Sequence, residues 1–160
     1  MLSSVMVACN NNSKVVYIDV NLLYESFEYK KELSAEYNKV KSVRDRVKDS
    51  LENELSQLSY EFEGMKSIPE DKKKIFDSKR EYFLQVNQQF DEDNENLRLT
   101  YDSKIIKQLN SYIKEFGDKN SYDLILGADN KGTVLYGKKD LDKTKDLLEY
   151  VNNRYKGEKK

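Results

Sequence analysis

The sequence predicts an α+β protein. A long antiparallel helical coiled-coil hairpin, the arm, sits on a small three-stranded β body closed by a C-terminal helix. Three observations predict it. Charged residues make up 36% of the chain and hydrophobic ones only 38%, a balance that suits long helices with one apolar stripe each better than a spherical core. Two stretches of roughly 45 residues carry apolar side chains every three or four positions on either side of "GMKSIPED". The runs "YDLILGA" and "GTVLYG" near the C-terminus are strand-like, short and joined through "DNK".

Composition excludes several classes. The 28 basic and 29 acidic residues leave a net charge of −1, without the basic excess of a nucleic-acid footprint. There is no histidine, so the commonest general base and metal ligand are missing and no serine can join a familiar hydrolase triad. No glycine-rich phosphate loop occurs. "GADNKG" and "DLDKT" lack the spacing of a calcium loop and read as turn and cap. No catalytic, metal or cofactor site is expected. A single cysteine rules out an internal disulfide framework.

That cysteine, Cys9, follows the apolar run Val5-Met6-Val7-Ala8 and precedes an asparagine-rich segment. The stretch resembles a bacterial lipoprotein signal, in which cleavage before Cys9 leaves a lipid on it and "NNNSK" becomes a polar tether. No Lys or Arg precedes the run, and the run is short for a signal peptide; the other reading is an N-terminus with an incidental cysteine. Residues 1–13 are therefore assigned to signal and tether.

"KVVYIDVN", residues 14–21, is a β-type run rich in valine and isoleucine. From Leu22 to about Met65 the stripe is Leu33, Tyr37, Val40, Val47, Leu51, Leu55, Leu58, Phe62 and Met65. A tip follows near residues 64–70, with Gly64, the only proline, Pro69, and Ser67 and Glu70 spaced as a capping box. The second helix runs from Glu70 to about Phe116, with Phe76, Phe83, Val86, Phe90, Leu97, Tyr101, Ile105, Leu109, Ile113 and Phe116 on its stripe. At about 65–70 Å each, neither helix is stable alone. Five basic residues (Lys39, Lys41, Arg44, Arg46, Lys48) lie in 39–48, and Asp91, Glu92, Asp93 and Glu95 lie in 91–95. Folding near residue 67 sets these opposite charges side by side, which favours the antiparallel hairpin. A compact bundle would need a third long amphipathic element.

Because the hairpin returns the chain to its base, residues 14–21 and 117–160 form the body. Its last helix begins at "DLDKT", with Asp142 as N-cap and Leu147, Leu148, Val151 and Tyr155 on one face. Three short strands and one helix bury too little apolar surface to stand alone, so association through the body is expected.

The motifs "VVYIDVNLL", "YDLILGADNKGTVLYG" and "LDKT" leading into "VNNRY", in that order around a helical hairpin at residues 22–116, resemble the OmpH/Skp family of periplasmic chaperones. The resemblance implies a homotrimer whose arms enclose a cavity, acting as an ATP-independent holdase for unfolded outer-membrane proteins. It implies a periplasmic location, with which the lipoprotein-like start at Cys9 agrees from an independent part of the sequence; no catalytic constellation is visible, so an enzyme is not expected. Tyr17, Ile18, Leu124, Ile125, Val134 and Tyr136 would form the trimer body core.

The chain departs from the family in charge. The best-known members are strongly basic, whereas residues 60–81 here hold six basic and six acidic residues. Capture of clients steered by net charge is in doubt, and Ile75, Phe76, Tyr82, Phe83 and Val86, a wider apolar face than one seam needs, are the candidate client contacts. The competing reading is that they only pack the arm. A second function class is a structural or adaptor lipoprotein whose arms bind one defined envelope partner.

Overall fold

The computed structural model describes residues 13–129, 132 and 134–159; Cys9 and the run before it lie outside them. The elements in order are β1 (Val15–Asp19), α1 (Val20–Ser26), α2 (Glu28–Phe62), α3 (Glu70–Asn120), β2 (Leu124–Ala128), a single 3-10 turn (Lys139–Leu141) and α4 (Thr144–Glu158). Two units result. One comprises residues up to 31 with 106 onward, the other residues 32–105.

In the first unit β1 and β2 pair in parallel, from Val15 against Leu124 to Asp19 against Ala128. Parallel neighbours need a long crossover, and the two long helices supply it. Alternation along β1 turns Val16 and Ile18 into the core. There they join Leu23 and Phe27, then Leu109, Tyr112 and Phe116 of α3 and Leu147 and Val151 of α4, all buried.

Polar side chains lock the ends of these elements. Asp19 caps α1 by accepting from the Leu22 N–H at 2.9 Å. The Asp19 N–H donates to Oγ1 of buried Thr144 at 2.8 Å. That hydroxyl donates in turn to Oδ1 of Asp142 at 2.5 Å. Tyr17 bridges to Asp142, and its carbonyl accepts from the Lys143 N–H at 2.9 Å. The motifs "YIDVNLL" and "LDKT" are thus two halves of one hydrogen-bonded joint.

Among the described residues the sheet has two strands, not three. The run from Val134 to Tyr136 forms no ladder. The reason is that β1 already has β2 on one edge and the Asp142 segment on the other. Gly137 meanwhile lies against the ring of Tyr17, so closely that a Cβ there would overlap it. The first helix breaks at Phe27, whose ψ of 124° is extended. Helix α3 passes Gly117 and ends at Asn120. Ser121 then takes a positive φ of 54°, and the Tyr122 and Ser121 N–H groups close back on Gly117 and Asp118 at 3.1 and 3.3 Å, a Schellman ending. Finally, α4 starts at Thr144, so Asp142 serves its first N–H at 3.0 Å from one residue before the N-cap.

In the second unit α2 and α3 lie antiparallel, joined by residues 63–69. Leu33 and Ile105 are buried, and the rest of the stripe in this unit is mostly half-buried, because a two-helix hairpin covers each stripe from one side only. The Ser67–Glu70 capping box does not form. The helix starts directly after Pro69, whose carbonyl accepts from the Lys73 N–H at 3.0 Å. Proline needs no donor partner there.

Candidate functional site

The cross-helix charges meet in register. Lys48 Nζ lies 3.0 Å from Asp91, Arg44 3.5 Å from Asp93, Lys79 2.6 Å from Glu54 and Lys72 3.9 Å from Glu61. The polarity reverses along the hairpin: α2 is the basic partner at 44–48 and the acidic one at 54–61. Such a pattern disfavours a parallel or shifted pairing more than it adds stability, since exposed pairs contribute about 0–1 kcal/mol. At the seam itself Arg44 lies over the Phe90 ring at 5.7 Å, and Phe62 meets Phe76 edge-on at 5.6 Å near the tip.

The candidate client contacts separate into two groups. Ile75 is 51% and Tyr82 56% exposed, one heptad apart on α3. Phe76, Phe83 and Val86 are half-buried, and the ring contact of Phe76 with Phe62 makes it a packing residue. Further large apolar side chains that the sequence reading did not single out are exposed in the same unit: Val43, Tyr60, Leu84 and Leu99. Val47, expected on the stripe, is exposed as well. Leu84 lies one position off the stripe and Tyr60 and Leu99 two, whereas Val43 falls between Val40 and Val47 at helical spacing. The surface they make is mostly a scatter of single side chains among charges, although Tyr60 borders an open groove of about 470 Å³ with Asn53, Ser56, Gln57 and Glu61. A cleft lined by Leu33, Tyr37, Arg98, Tyr101 and Ile105 measures only about 70 Å³.

Charges beside that cleft are tied to one another. Arg98 donates to Glu95 at 2.7 Å and to Asp102 at 2.9 Å. The first of these bonds holds the Glu95 carboxyl below its ordinary range and pushes the guanidinium further up. Among the described residues no cluster of acidic or sulfur side chains could hold a metal ion, and no helix is long and apolar enough to cross a membrane.

In the first unit Ile18 is buried, and Tyr17, Ile125 and Val134 are half-buried. Leu124 is 48% and Tyr136 83% exposed, and Leu135 between the last two residues, which the sequence reading passed over, is 91% exposed. One edge of β2 has no strand beside it among the described residues.

A strand, a long helical hairpin, a strand parallel to the first and a closing helix define a helical-hairpin protein with a minimal sheet. The family model described as outer membrane protein (OmpH-like) matches residues 14–151, and the chain belongs to that family. None of the curated proteins matches it. Among solved structures, an OmpH-like protein from Caulobacter crescentus CB15, described as an outer membrane chaperone, superposes with a TM-score of 0.75 at 13% identity. The match covers 96% of this chain and 90% of that one. At that identity the likeness speaks for the fold.

Proposed function

We propose that the chain is a periplasmic, ATP-independent holdase that binds unfolded outer-membrane proteins between the helical arms of a homotrimer. The observation that carries this reading is the exposure of Val43, Tyr60, Ile75, Tyr82, Leu84 and Leu99 along a hairpin of an OmpH-like protein. Scattered apolar side chains in a charged surface suit many weak contacts with an extended chain. A folded partner would call for a concave, contiguous patch. Charge neutrality leaves these contacts, rather than long-range attraction, as the source of capture.

Trimer formation is supported by the first unit. Leu124, Leu135 and Tyr136 are large apolar groups in water, and an open β2 edge is a template for another strand. In this reading the 134–138 run pairs with a neighbouring copy. It also keeps the lipid on Cys9, outside the described residues, as the tether.

The reading is tested by diluting several unrelated, urea-unfolded outer-membrane barrel proteins into buffer without ATP. The chain suppresses their aggregation at about one trimer per client. Suppression of none of them, with tight binding of one folded envelope protein instead, would favour the adaptor reading.

A further inference from the structure

Nothing in the local sequence stops the helix that starts at Val20. "VNLLYESFEYKKEL" holds no glycine or proline, yet the helix is cut at Phe27. A cut leaves carbonyls at the end of α1 and N–H groups at the start of α2 without partners, and phenylalanine at the junction has no side-chain acceptor to offer. The missing partner comes from a distant part of the chain. Asn152 of α4 accepts from the Glu28 N–H through Oδ1 at 2.9 Å, and its Nδ2 donates to the Ser26 carbonyl at 3.3 Å. One orientation of one carboxamide satisfies both sides of the break. Phe27 itself is fully buried, with the rings of Tyr29, Tyr112 and Tyr155 edge-on around it at 6.1, 6.2 and 5.8 Å.

We propose that Asn152 is the pin of a fixed joint between α1 and α2, so that the bend at Phe27 exists only while α4 is docked. The aromatic socket supplies the driving force, by burying Phe27 in a place a continuous helix could not reach. The amide supplies direction, by capping α2 from outside its own sequence. Asn152 is therefore a positioning residue: it orders the first turn of α2 and makes that turn report on α4. The assignment holds whatever the chain binds.

Residue-resolved hydrogen exchange on the full chain tests it with two variants. Asn152→Leu keeps the volume and removes both bonds; Asn152→Asp keeps the acceptor for Glu28 and loses the donor to Ser26. In the leucine variant the Glu28 and Tyr29 amides exchange about tenfold faster or more, the change expected for one lost hydrogen bond, while those of Leu109 and Val151 hold. In the aspartate variant the Glu28 amide stays protected. Unchanged exchange at Glu28 in the leucine variant would overturn the proposal. If leucine instead loosens the whole unit, the aspartate variant decides: a protected Glu28 amide supports the pin, and an unprotected one overturns it.

Discussion

Arg44 of α2 donates from Nη1 to Oδ1 of Asn94 on α3 at 2.7 Å, and Asn94 is one of two polar residues buried among those described. A polar pair at a helical seam fixes register at some cost in stability. Removing Arg44 leaves the Asn94 oxygen buried without a donor and strips the cation from the Phe90 face. Arg44→Ala is expected to lower stability by about 1–3 kcal/mol, read as an earlier urea midpoint of the helical circular dichroism signal. Lys41→Ala breaks an exposed pair with Asp45 and should leave the midpoint nearly unchanged. Equal effects of the two would remove Arg44 from its role.

Acid is expected to weaken the joint at "LDKT". The Thr144 hydroxyl, then the Thr144 N–H, hold the Asp142 carboxyl below the usual carboxylate range, with Lys143 and Lys145 adding to the effect. A depressed folded pKa means stability that is present above the unfolded value of about 3.9 and is lost as pH falls through the folded one. The difference in Tm between the parent chain and Asp142→Asn should therefore shrink between pH 6 and pH 3. A gap that stays constant over that interval would show that the charge on Asp142 is not what stabilises the joint.

Ser121 occupies a position where glycine is at ease. Its φ of 54° costs an L-residue about 1–2 kcal/mol, and no other described non-glycine residue shares it. Ser121→Gly should raise stability by about 1 kcal/mol, measured in urea, without altering the circular dichroism of the folded state. A loss of stability would mean that the serine side chain matters more than its backbone.

The exposure pattern on α3 separates packing from capture. Ile75→Ser and Tyr82→Ser together should leave the urea midpoint nearly unchanged and weaken suppression of client aggregation severalfold. Phe76→Ala, which opens the Phe62 contact, should lower stability by about 1–3 kcal/mol. Undiminished suppression by the double variant would return Ile75 and Tyr82 to a role in the arm alone.

Much of this arrangement is legible in the sequence because helical periodicity is local. The stripes on α2 and α3, the return near Pro69 and the opposed charges at 44–48 and 91–93 all follow from spacing along the chain. What was not legible depends on partners far away. The strand quality of "GTVLYG" does not reveal that β1 is occupied on both edges, so the expected hairpin gives way to a parallel pair. Phe27 sits in an unbroken helical pattern, and only the socket of Tyr112 and Tyr155 with Asn152 above it overrides that pattern. The stripe ends at about Phe116, but α3 continues through Gly117 to Asn120, with Gly117 against Ile125, where a Cβ would be in ordinary contact at 3.4 Å. The candidate contact face was half legible. Periodicity finds Phe76 and Phe83, which are half-buried, more readily than Tyr60 or Leu99, which lie off the stripe and face water.

The most direct test of the account is the mass of the folded full chain in solution, by light scattering coupled to size exclusion, with Cys9→Ser to remove thiol chemistry. Leu124, Leu135 and Tyr136 in water demand cover, and the account predicts three times the chain mass, falling to one when Leu135 and Tyr136 are both replaced by Asp. A stable, well-folded monomer for the unsubstituted body would contradict it.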